Sequence, residues 1–256
     1  IEEGVHWIFG NKSIMIYDMN GSFQAPFELN ILLENEVLAA MLEIVAVADN
    51  EIVLQFENGN FKRVLTAGRY AFWKGIAKNE FIKADISKIE ITENIAVNLL
   101  ENAQLRLFTR KYMVSSNDKA LLFVNGTFVK ELKSGTHYFW NNAITIEVKT
   151  VDARQQQVEI SGQELLTKDK AGLRINFFVR YQVVDIMKAL VDNKDFDKQL
   201  YVSMQLALRA FVGGLTLDEL LSKKDTIAEA ILADVTTKIN ELGLAVSDAG
   251  IRDVIL

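Results

Sequence analysis

The sequence has no cysteine, a single proline (Pro26) and only two histidines, His6 and His137. Without cysteine, disulfides, thiol catalysis and cysteine-based metal sites are excluded, and the composition suits a reducing compartment. With one proline and no low-complexity run, the chain lacks the flexible linkers that often separate domains. At 256 residues it is long enough for two or three modules, which we expect to abut directly.

Positive charge is also scarce. The chain has 28 Lys and Arg residues against 34 Asp and Glu residues, a net charge of −6. This balance argues against nucleic acid as a partner and against attachment to anionic lipid through a basic patch. The basic and aromatic run RLFTRKY contains Arg106, Arg110 and Lys111. Three cations in an acidic chain indicate a connector strand with an exposed edge rather than a nucleic-acid site.

No segment is apolar enough to cross a bilayer. The most apolar window, Ile31–Ala48, carries three glutamates, each of which is costly in hydrocarbon. Its apolar residues recur at helical spacing and predict one amphipathic helix that packs against its own sheet; they are Leu33, Val37, Met41 and Ile44. The acidic polar face of this helix disfavours a position on a lipid surface.

The main positive feature of the sequence is a β-unit that occurs twice. NEIVLQFENGNFKRVLTAGRYAFW begins at Asn50 and aligns without a gap to NDKALLFVNGTFVKELKSGTHYFW, which begins 67 positions later (117 − 50 = 67) at Asn117. In both copies an Asn-Gly pair lies between apolar runs, a strong signal for a hairpin with a type I′ turn. A glycine turn follows, at Gly68 and Gly135. Each copy therefore predicts a β-meander with one apolar face.

Each copy continues into an aromatic strand and then an alternating strand, FIKADISKIEI from Phe81 and AITIEVKTVDARQQQVEI from Ala143. The aromatic strands hold two pairs of large rings, Phe72 with Trp73 and Phe139 with Trp140. Such rings can form a ligand cage. Closure of each core is the favoured interpretation, because each ring buries a large apolar area. The segment between the copies, ENIAVNLLENAQLRLFTRKY, predicts a strand-rich connector.

The C-terminal part combines a hairpin with helices. Apolar residues alternate with polar ones from Leu173 to Gln182, which predicts a strand preceded by a turn in TKDKAG. Three helices are expected next. The first ends at Gly213-Gly214, the second begins at the capping box Thr216–Glu219, and the third ends at Gly243. The last segment, LAVSDAGIRDVIL, predicts a strand, so the fold class is α+β with helices on one face of a sheet.

The order of sequence motifs in this part of the chain resembles the stomatin/prohibitin/flotillin domain, called the SPFH or Band 7 domain, and in particular its prokaryotic stomatin-like (slipin) branch. The similarity runs in unbroken order from Asn117 to Leu256. Its motifs are GTHYF at Gly135, VDAR at Val151, QELLTKD at Gln163, VRYQV at Val179, LDELLSKKD at Leu217 and LGLAVSDAGIRDV at Leu242. The departures are an extra meander at 50–91, no hydrophobic segment ahead of the domain and no coiled coil after it.

The resemblance implies an SPFH domain at 109–256, made of an opening β-meander at 117–160 and an α/β part at 161–256. Residues 1–108 would form a β-rich region that contains the extra copy. Because the chain begins at Ile1 rather than Met, we interpret it as a fragment whose membrane contact lies in segments outside it. The family implies a homo-oligomer on the cytoplasmic side of a membrane, and a membrane-protein partner such as a stomatin-associated serine protease.

No catalytic, cofactor-binding or metal-binding residue is predicted. His137 is expected to be a structural or surface histidine, and Asp195 and Asp197 to mark the start of a helix. The turn QELLTKDK could offer a threonine or lysine nucleophile, but a polar hairpin turn explains its charges more simply. No nucleotide-binding glycine motif or metal-ligand spacing occurs.

The sequence therefore favours a non-enzymatic, membrane-associated scaffold that self-assembles and regulates membrane proteins. One alternative is a soluble, cytoplasmic shell- or cage-forming protein comparable to the shoulder domain of vault shells, where repeated β-modules precede an SPFH domain. Another is a ligand-binding or catalytic module that uses the same fold. The unprotected backbone edges of the final strand and of the hairpins are expected to favour contacts between subunits.

Overall fold

The structure is a computed structural model that describes residue 10 and residues 16–19, 21–223 and 226–255, without the side chains of residues 161–163. The chain divides into two compact units. The first comprises Ile1–Arg110 and Tyr138–Ala143, and the second comprises Lys111–His137 and Ile144–Leu256. His6, one of the two histidines considered above, lies outside the described residues.

The elements of the first copy and of the segment before it are β1 (Ser22–Phe23), α1 (Leu29–Leu32), α2 (Glu36–Met41), β2 (Leu42–Val47), β3 (Glu51–Glu57), β4 (Asn60–Leu65), β5 (Gly68–Trp73) and β6 (Asn79–Asp85). Those of the connector and of the second copy are α3 (Val97–Leu100), a 3₁₀ turn (Leu105–Phe108), β7 (Thr109–Val114), β8 (Asp118–Val124), β9 (Thr127–Leu132), β10 (Gly135–Trp140) and β11 (Ile146–Asp152). Every strand from β7 to β11 begins and ends 67 positions after its counterpart among β2 to β6.

The Asn-Gly turns are nearly identical in the two copies. Asn58 and Asn125 have φ of 51° and 49°, and each following glycine has φ of 79°. The side-chain oxygen of each asparagine also accepts a backbone hydrogen bond at 3.1 Å, from Lys78 N–H in one copy and Thr145 N–H in the other. These values confirm the left-handed hairpin turns predicted from Asn-Gly.

The strands of each copy divide between two sheets, which gives the predicted meander a more specific form. In the first copy β4, β3 and β6 form one sheet in that order, while β5 pairs with β1 and β2 in another. Both faces of β5 are apolar: Phe72 packs with Val53 and Leu65, whereas Trp73 packs with Phe23 and Leu42. A strand that is apolar on both faces belongs between two layers. The second copy repeats the order with β9, β8 and β11, and β10 pairs with β7.

The other face of the β4-β3-β6 sheet is covered by a residue of the second copy. Trp140, which is fully buried, packs with Ile52, Leu54 and Ala84. Its backbone N–H donates to the carbonyl of Ile89 at 2.9 Å. Within the first unit, Trp140 of the second copy thus closes the core of the first copy together with Leu100 and Leu105 of the connector.

The second unit continues with β12 (Gln156–Leu166), β13 (Gly172–Val183), a π-helical turn (Lys188–Asp192), α4 (Phe196–Gly213), α5 (Leu217–Ser222), α6 (Ile227–Glu241) and β14 (Leu244–Ile255). The strand order is β12-β13-β14, all antiparallel. Inward residues of β13 pack with buried residues of α4 and α6, and the same core includes Leu121 and Phe123 of the second copy. The unit is the expected α+β arrangement.

In the second unit, the helix ends lie where the sequence predicts them. Thr216 and Glu219 form a reciprocal capping box at the start of α5, and α4 ends at Gly213. Gly243, with φ of 74°, follows α6, and its carbonyl accepts hydrogen bonds from Val184 N–H at 2.9 Å and Asp185 N–H at 3.0 Å. The glycine turn thereby fixes the start of β14 beside the end of β13.

Two predicted elements are wrong. The single helix over Ile31–Ala48 is replaced by α1, α2 and β2, because the Asn35 side chain accepts hydrogen bonds that restart the helix and Leu42–Val47 pairs with β5. Val37, predicted to face inward, is 72% exposed. The connector, predicted to be strand-rich, instead contains the short α3 and the 3₁₀ turn, and its strand β7 begins only at Thr109.

The alternating strands after each copy are shorter than predicted. Asp85 ends β6 and accepts a hydrogen bond from Ser87 N–H at 3.0 Å, and Asp152 ends β11 and accepts one from Arg154 N–H at 2.9 Å. These aspartate turns are again 67 positions apart (152 − 85 = 67). An aspartate that bonds the backbone two residues later breaks an otherwise alternating pattern.

Candidate assembly surface

Helix α4 carries an apolar stripe on its outer side. Its inner side is buried through Leu200, Met204 and Leu208. Val202 and Leu206, four residues apart and thus on one face, are 48% and 53% exposed, and the exposed Ala210 extends the same row. We call Val202, Leu206 and Ala210 the α4 stripe. Aliphatic side chains that remain in water beside a closed core are suited to contact another protein surface.

A second apolar region lies at one end of the β12-β13-β14 sheet. There Leu166 is 64% exposed and Ile255 is 50% exposed. Both line an open cleft of about 600 Å³, whose rim carries Glu164 and Arg174, joined by an ion pair at 3.2 Å. The cleft is open and combines this ion pair with the exposed Leu166 and Ile255, which suits a contact with protein.

The outer edge of β14 is less open to strand pairing than the sequence predicts. No other described strand pairs with β14 on the side away from β13. However, the register with β13 skips Ser247 and Arg252, so β14 carries two bulges. Bulges twist an edge and interrupt its row of hydrogen-bonding groups. Pairing of a second chain along the whole of β14 is therefore disfavoured, and contacts through side chains are favoured.

The exposed face of the same sheet is tied together by polar side chains. Arg180 bonds Gln157 at 3.0 Å and pairs with Asp248 at 3.1 Å, so it links the neighbours of β13 on both sides. Arg252 pairs with Glu159 at 3.3 Å. These solvated pairs add little stability. They make this face polar, in contrast to the α4 stripe.

The turn TKDKAG is a structural connection and does not present a nucleophile. Thr167 is only 4% exposed; its hydroxyl donates to Asp169 at 2.5 Å and accepts from Ala171 N–H at 2.9 Å. Asp169 also accepts from Leu217 N–H at 3.2 Å, at the first residue of α5. The hydrogen bond from Thr167 lowers the pKa of the Asp169 carboxyl, helped by that backbone N–H. The hairpin is thereby joined to α5.

The remaining candidates also have structural partners. The Nε2 atom of His137 lies 2.7 Å from the carbonyl oxygen of Lys133, a contact that holds the turn before β10. Asp195 is the residue before α4, and Asp197 lies in the first turn of α4, as expected. Phe72, Trp73, Phe139 and Trp140 are all at least nine-tenths buried, which confirms them as core residues.

The three cations of the run RLFTRKY have different surroundings. Arg106 is exposed on the 3₁₀ turn, while Arg110 donates to the side chain of Asn141 at 3.0 Å and to the carbonyl of Asn142. Lys111 is exposed at the next position of β7. Since Arg110 is occupied by its own unit, the run does not form the continuous cationic surface that nucleic acid requires.

Within the described part of the chain, no group of three or more histidine, cysteine, aspartate or glutamate side chains is placed to hold a metal ion. Among the same residues, no helix combines the length and the apolar character needed to span a membrane.

The sequence profile of the SPFH domain / Band 7 family matches residues 112–256, more than half of the chain. The chain belongs to this family. It is 30% identical over 142 residues to a stomatin homolog of Pyrococcus horikoshii. The aligned residues make up 56% of this chain and 53% of that relative. It is 25% identical over 142 residues to stomatin of Mus musculus, covering 56% and 50%. A putative band 7 family protein of Acanthamoeba polyphaga mimivirus is 28% identical over 131 residues, covering 51% and 43%.

The chain thus spans about half the length of these relatives. The matched residues contain β8 to β14 and α4 to α6, and so include the α4 stripe and the cleft at the sheet end. Stomatin-like proteins are membrane-associated and often form oligomers, and membership of the family suggests a scaffold role.

Proposed function

We propose that this chain is the assembly module of a non-enzymatic, stomatin-like scaffold on the cytoplasmic side of a membrane. In this proposal residues 109–256 are the SPFH domain, and residues 1–108 are a β-rich region extended by the copy at 50–91. Copies of the protein associate with one another and organise or regulate a membrane protein, for which a serine protease is our candidate. Segments outside this chain make the membrane contact.

The observation that carries the proposal is the α4 stripe, an exposed apolar row within the residues that match the family. Val202 and Leu206 are half exposed, although the opposite side of α4 is closed in the core. Burial of these two half-exposed side chains on association would contribute about 1.5–3 kcal/mol per subunit, since each aliphatic side chain gains about 1.5–3 kcal/mol on full burial. This gain is smaller than the roughly 4–15 kcal/mol that association costs, so the α4 stripe would act as one part of a larger contact that is repeated around a closed assembly.

The test uses light scattering on the purified chain over a range of concentrations. The parent chain is expected to increase in mass with concentration, and the double variant Val202→Glu/Leu206→Glu to stay monomeric. Ala233→Glu, at an exposed position of α6, is the matched control and should behave like the parent. Monomers of the parent at all concentrations, or equal association of parent and double variant, would contradict assembly through the α4 stripe.

A second candidate function is a soluble shell- or cage-forming protein, favoured by the tandem copies and by the seating of Trp140 on the first copy. Packing of a residue of one repeat against the preceding repeat is typical of proteins built from repeated modules. Fractionation of cells that express the full-length protein separates the candidates. Recovery with membranes, and crosslinks to a membrane protein, would favour the scaffold. Large soluble assemblies without membrane would favour the shell.

A further inference from the structure

A polar cleft of about 280 Å³ opens between the two sheets of the first copy, in the first unit. Its walls come from β3, β4 and β6 on one side and from β1 and β5 on the other. The side chains used below are Gln55, Glu57, Lys62, Arg63, Phe72, Trp73 and Asn79, all of which line it. We call it the repeat-1 cleft.

The floor of the repeat-1 cleft is a chain of hydrogen bonds centred on the buried Gln55. Gln55 is only 4% exposed; its amide nitrogen donates to Asn79 Oδ1 at 2.9 Å, and its carbonyl oxygen accepts from Arg63 Nε at 2.8 Å. A buried amide with both ends bonded is rigid, because release of either partner leaves a polar group without compensation. The floor therefore fixes the position of the Arg63 side chain.

Arg63 is held with its outer nitrogens available. Its guanidinium carbon lies 5.7 Å from the centre of the Phe72 ring, which supports the planar group from one side. The Nε atom is used by Gln55, while neither Nη group donates to another described residue. At the rim Lys62 pairs with Glu57 at 3.1 Å, so the three charged side chains carry one net positive charge. The cleft thus presents an oriented guanidinium edge in an acidic protein.

The second copy shows that the fold does not need these polar groups. At the positions 67 residues later, the cleft-lining side chains Gln55, Glu57, Lys62, Arg63 and Asn79 are replaced by Leu122, Val124, Val129, Lys130 and Ile146. Leu122 is fully buried and Ile146 nearly so, in strands with the same bounds. The same backbone therefore forms with apolar side chains at four of these five positions and Lys130 at the fifth, and the polar set of the first copy requires another explanation.

We propose that the repeat-1 cleft binds a small oxyanion, a carboxylate or a phosphate group, through Arg63. The guanidinium edge matches two oxygens of such a group with paired, charge-assisted hydrogen bonds. Lys62 can turn from Glu57 toward the same anion at the rim. The cleft is near the lower end of the size range for small-molecule sites, so the ligand is a small molecule or a short charged end of a larger one.

The experiment follows indole N–H signals by NMR while the chain is titrated with inorganic phosphate or with acetate, against sodium chloride at equal ionic strength. The three tryptophans Trp7, Trp73 and Trp140 give three such signals. Trp73 lines the repeat-1 cleft, and Trp140 is its counterpart in the second copy. A saturable shift of the Trp73 signal with phosphate, acetate or both, with Trp140 unchanged, is the expected result. The preferred probe identifies the anion class.

Three variants make the assignment specific. Arg63→Met should weaken binding about tenfold or more, since a charge-assisted pair is lost. Lys130→Met, at the matching position of the second copy, should leave binding unchanged. Gln55→Leu/Asn79→Ile copies the lining of the second copy, which this fold accepts, and should weaken binding because Arg63 loses its support. No saturable Trp73 shift with either probe, or equal affinity of Arg63→Met and the parent, would overturn the proposal.

Discussion

The hydroxyl of Tyr181 donates a hydrogen bond to the carboxylate of Asp197 at 2.8 Å and thereby joins the central strand β13 to the first turn of α4. Gln156 Oε1 lies 3.1 Å from the same hydroxyl. Tyr181 is only 4% exposed, whereas Asp197 is exposed. The contact therefore links the buried sheet to the helix that carries the α4 stripe.

Replacement of Tyr181 by phenylalanine keeps the ring and removes the hydroxyl, with its contacts to Asp197 and Gln156. We expect Tyr181→Phe to lower the free energy of unfolding by about 1–2 kcal/mol, the range for a hydrogen bond to a charged group whose partner can regain water. Urea unfolding followed by circular dichroism measures the difference. Tyr201→Phe, which removes a tyrosine hydroxyl from α4, is the control. A loss no greater than that of the control would show that the bond contributes nothing.

The same hydroxyl predicts a dependence on alkaline pH. Burial raises the pKa of Tyr181, and the neighbouring Asp197 carboxylate raises it further. Because the folded pKa lies above the unfolded value of about 10, the folded state favours the protonated form. This stabilisation is complete below about pH 10 and is lost as pH rises further. The stability difference between parent and Tyr181→Phe should therefore shrink between about pH 9.5 and 11; a constant difference contradicts the assignment.

Gly243 occupies a position that no side chain can enter. Its φ is 74°, and an added Cβ would overlap the carbonyl of Asp185 and lie 2.9 Å from Lys188 Cβ. We expect Gly243→Ala to lower the free energy of unfolding by about 3 kcal/mol or more, from backbone strain of about 1–2 kcal/mol plus the overlap. Gly126→Ala, with φ of 79° and open space, isolates the strain alone. Equal losses in the two variants would refute the steric explanation.

The TKDKAG turn should be sensitive to loss of one hydroxyl. Thr167→Val leaves the N–H of Ala171 without its partner at 2.9 Å and removes the bond to Asp169. The expected loss is about 1–3 kcal/mol, the cost of an unsatisfied buried donor. Thr167→Ser should retain most of the stability, because it keeps the hydroxyl. If Thr167→Val and Thr167→Ser have the same free energy of unfolding in urea, the hydroxyl does not stabilise the turn.

The parts of the fold that follow from neighbouring residues could be predicted from the sequence. Asn58-Gly59 specifies its hairpin because a type I′ turn needs positive φ at both central residues, and Thr216 with Glu219 specifies the start of a helix. The family motifs also identify the α+β class, which the family match confirms. In each case the physical cause lies within a few residues.

The missed features depend on residues far apart in the chain. Leu42–Val47 falls within the window Ile31–Ala48, whose apolar spacing predicts one helix, but it forms a strand because it pairs with β5. The bulges of β14 arise from its register with β13, and no local motif marks them. The repeat-1 cleft could have been suspected from the sequence, because alignment of the copies already sets Gln55 and Arg63 against Leu122 and Lys130.

The seating of Trp140 on the first copy makes the β-unit extendable. The β4-β3-β6 sheet of the first copy packs against Trp140 of the second copy. The equivalent sheet of the second copy packs instead with the α/β core, through Leu121 and Phe123. A gene that gained a third 67-residue segment would therefore create no new kind of interface, only another instance of an existing one. Such a chain should show equal protection from hydrogen exchange in each inner segment.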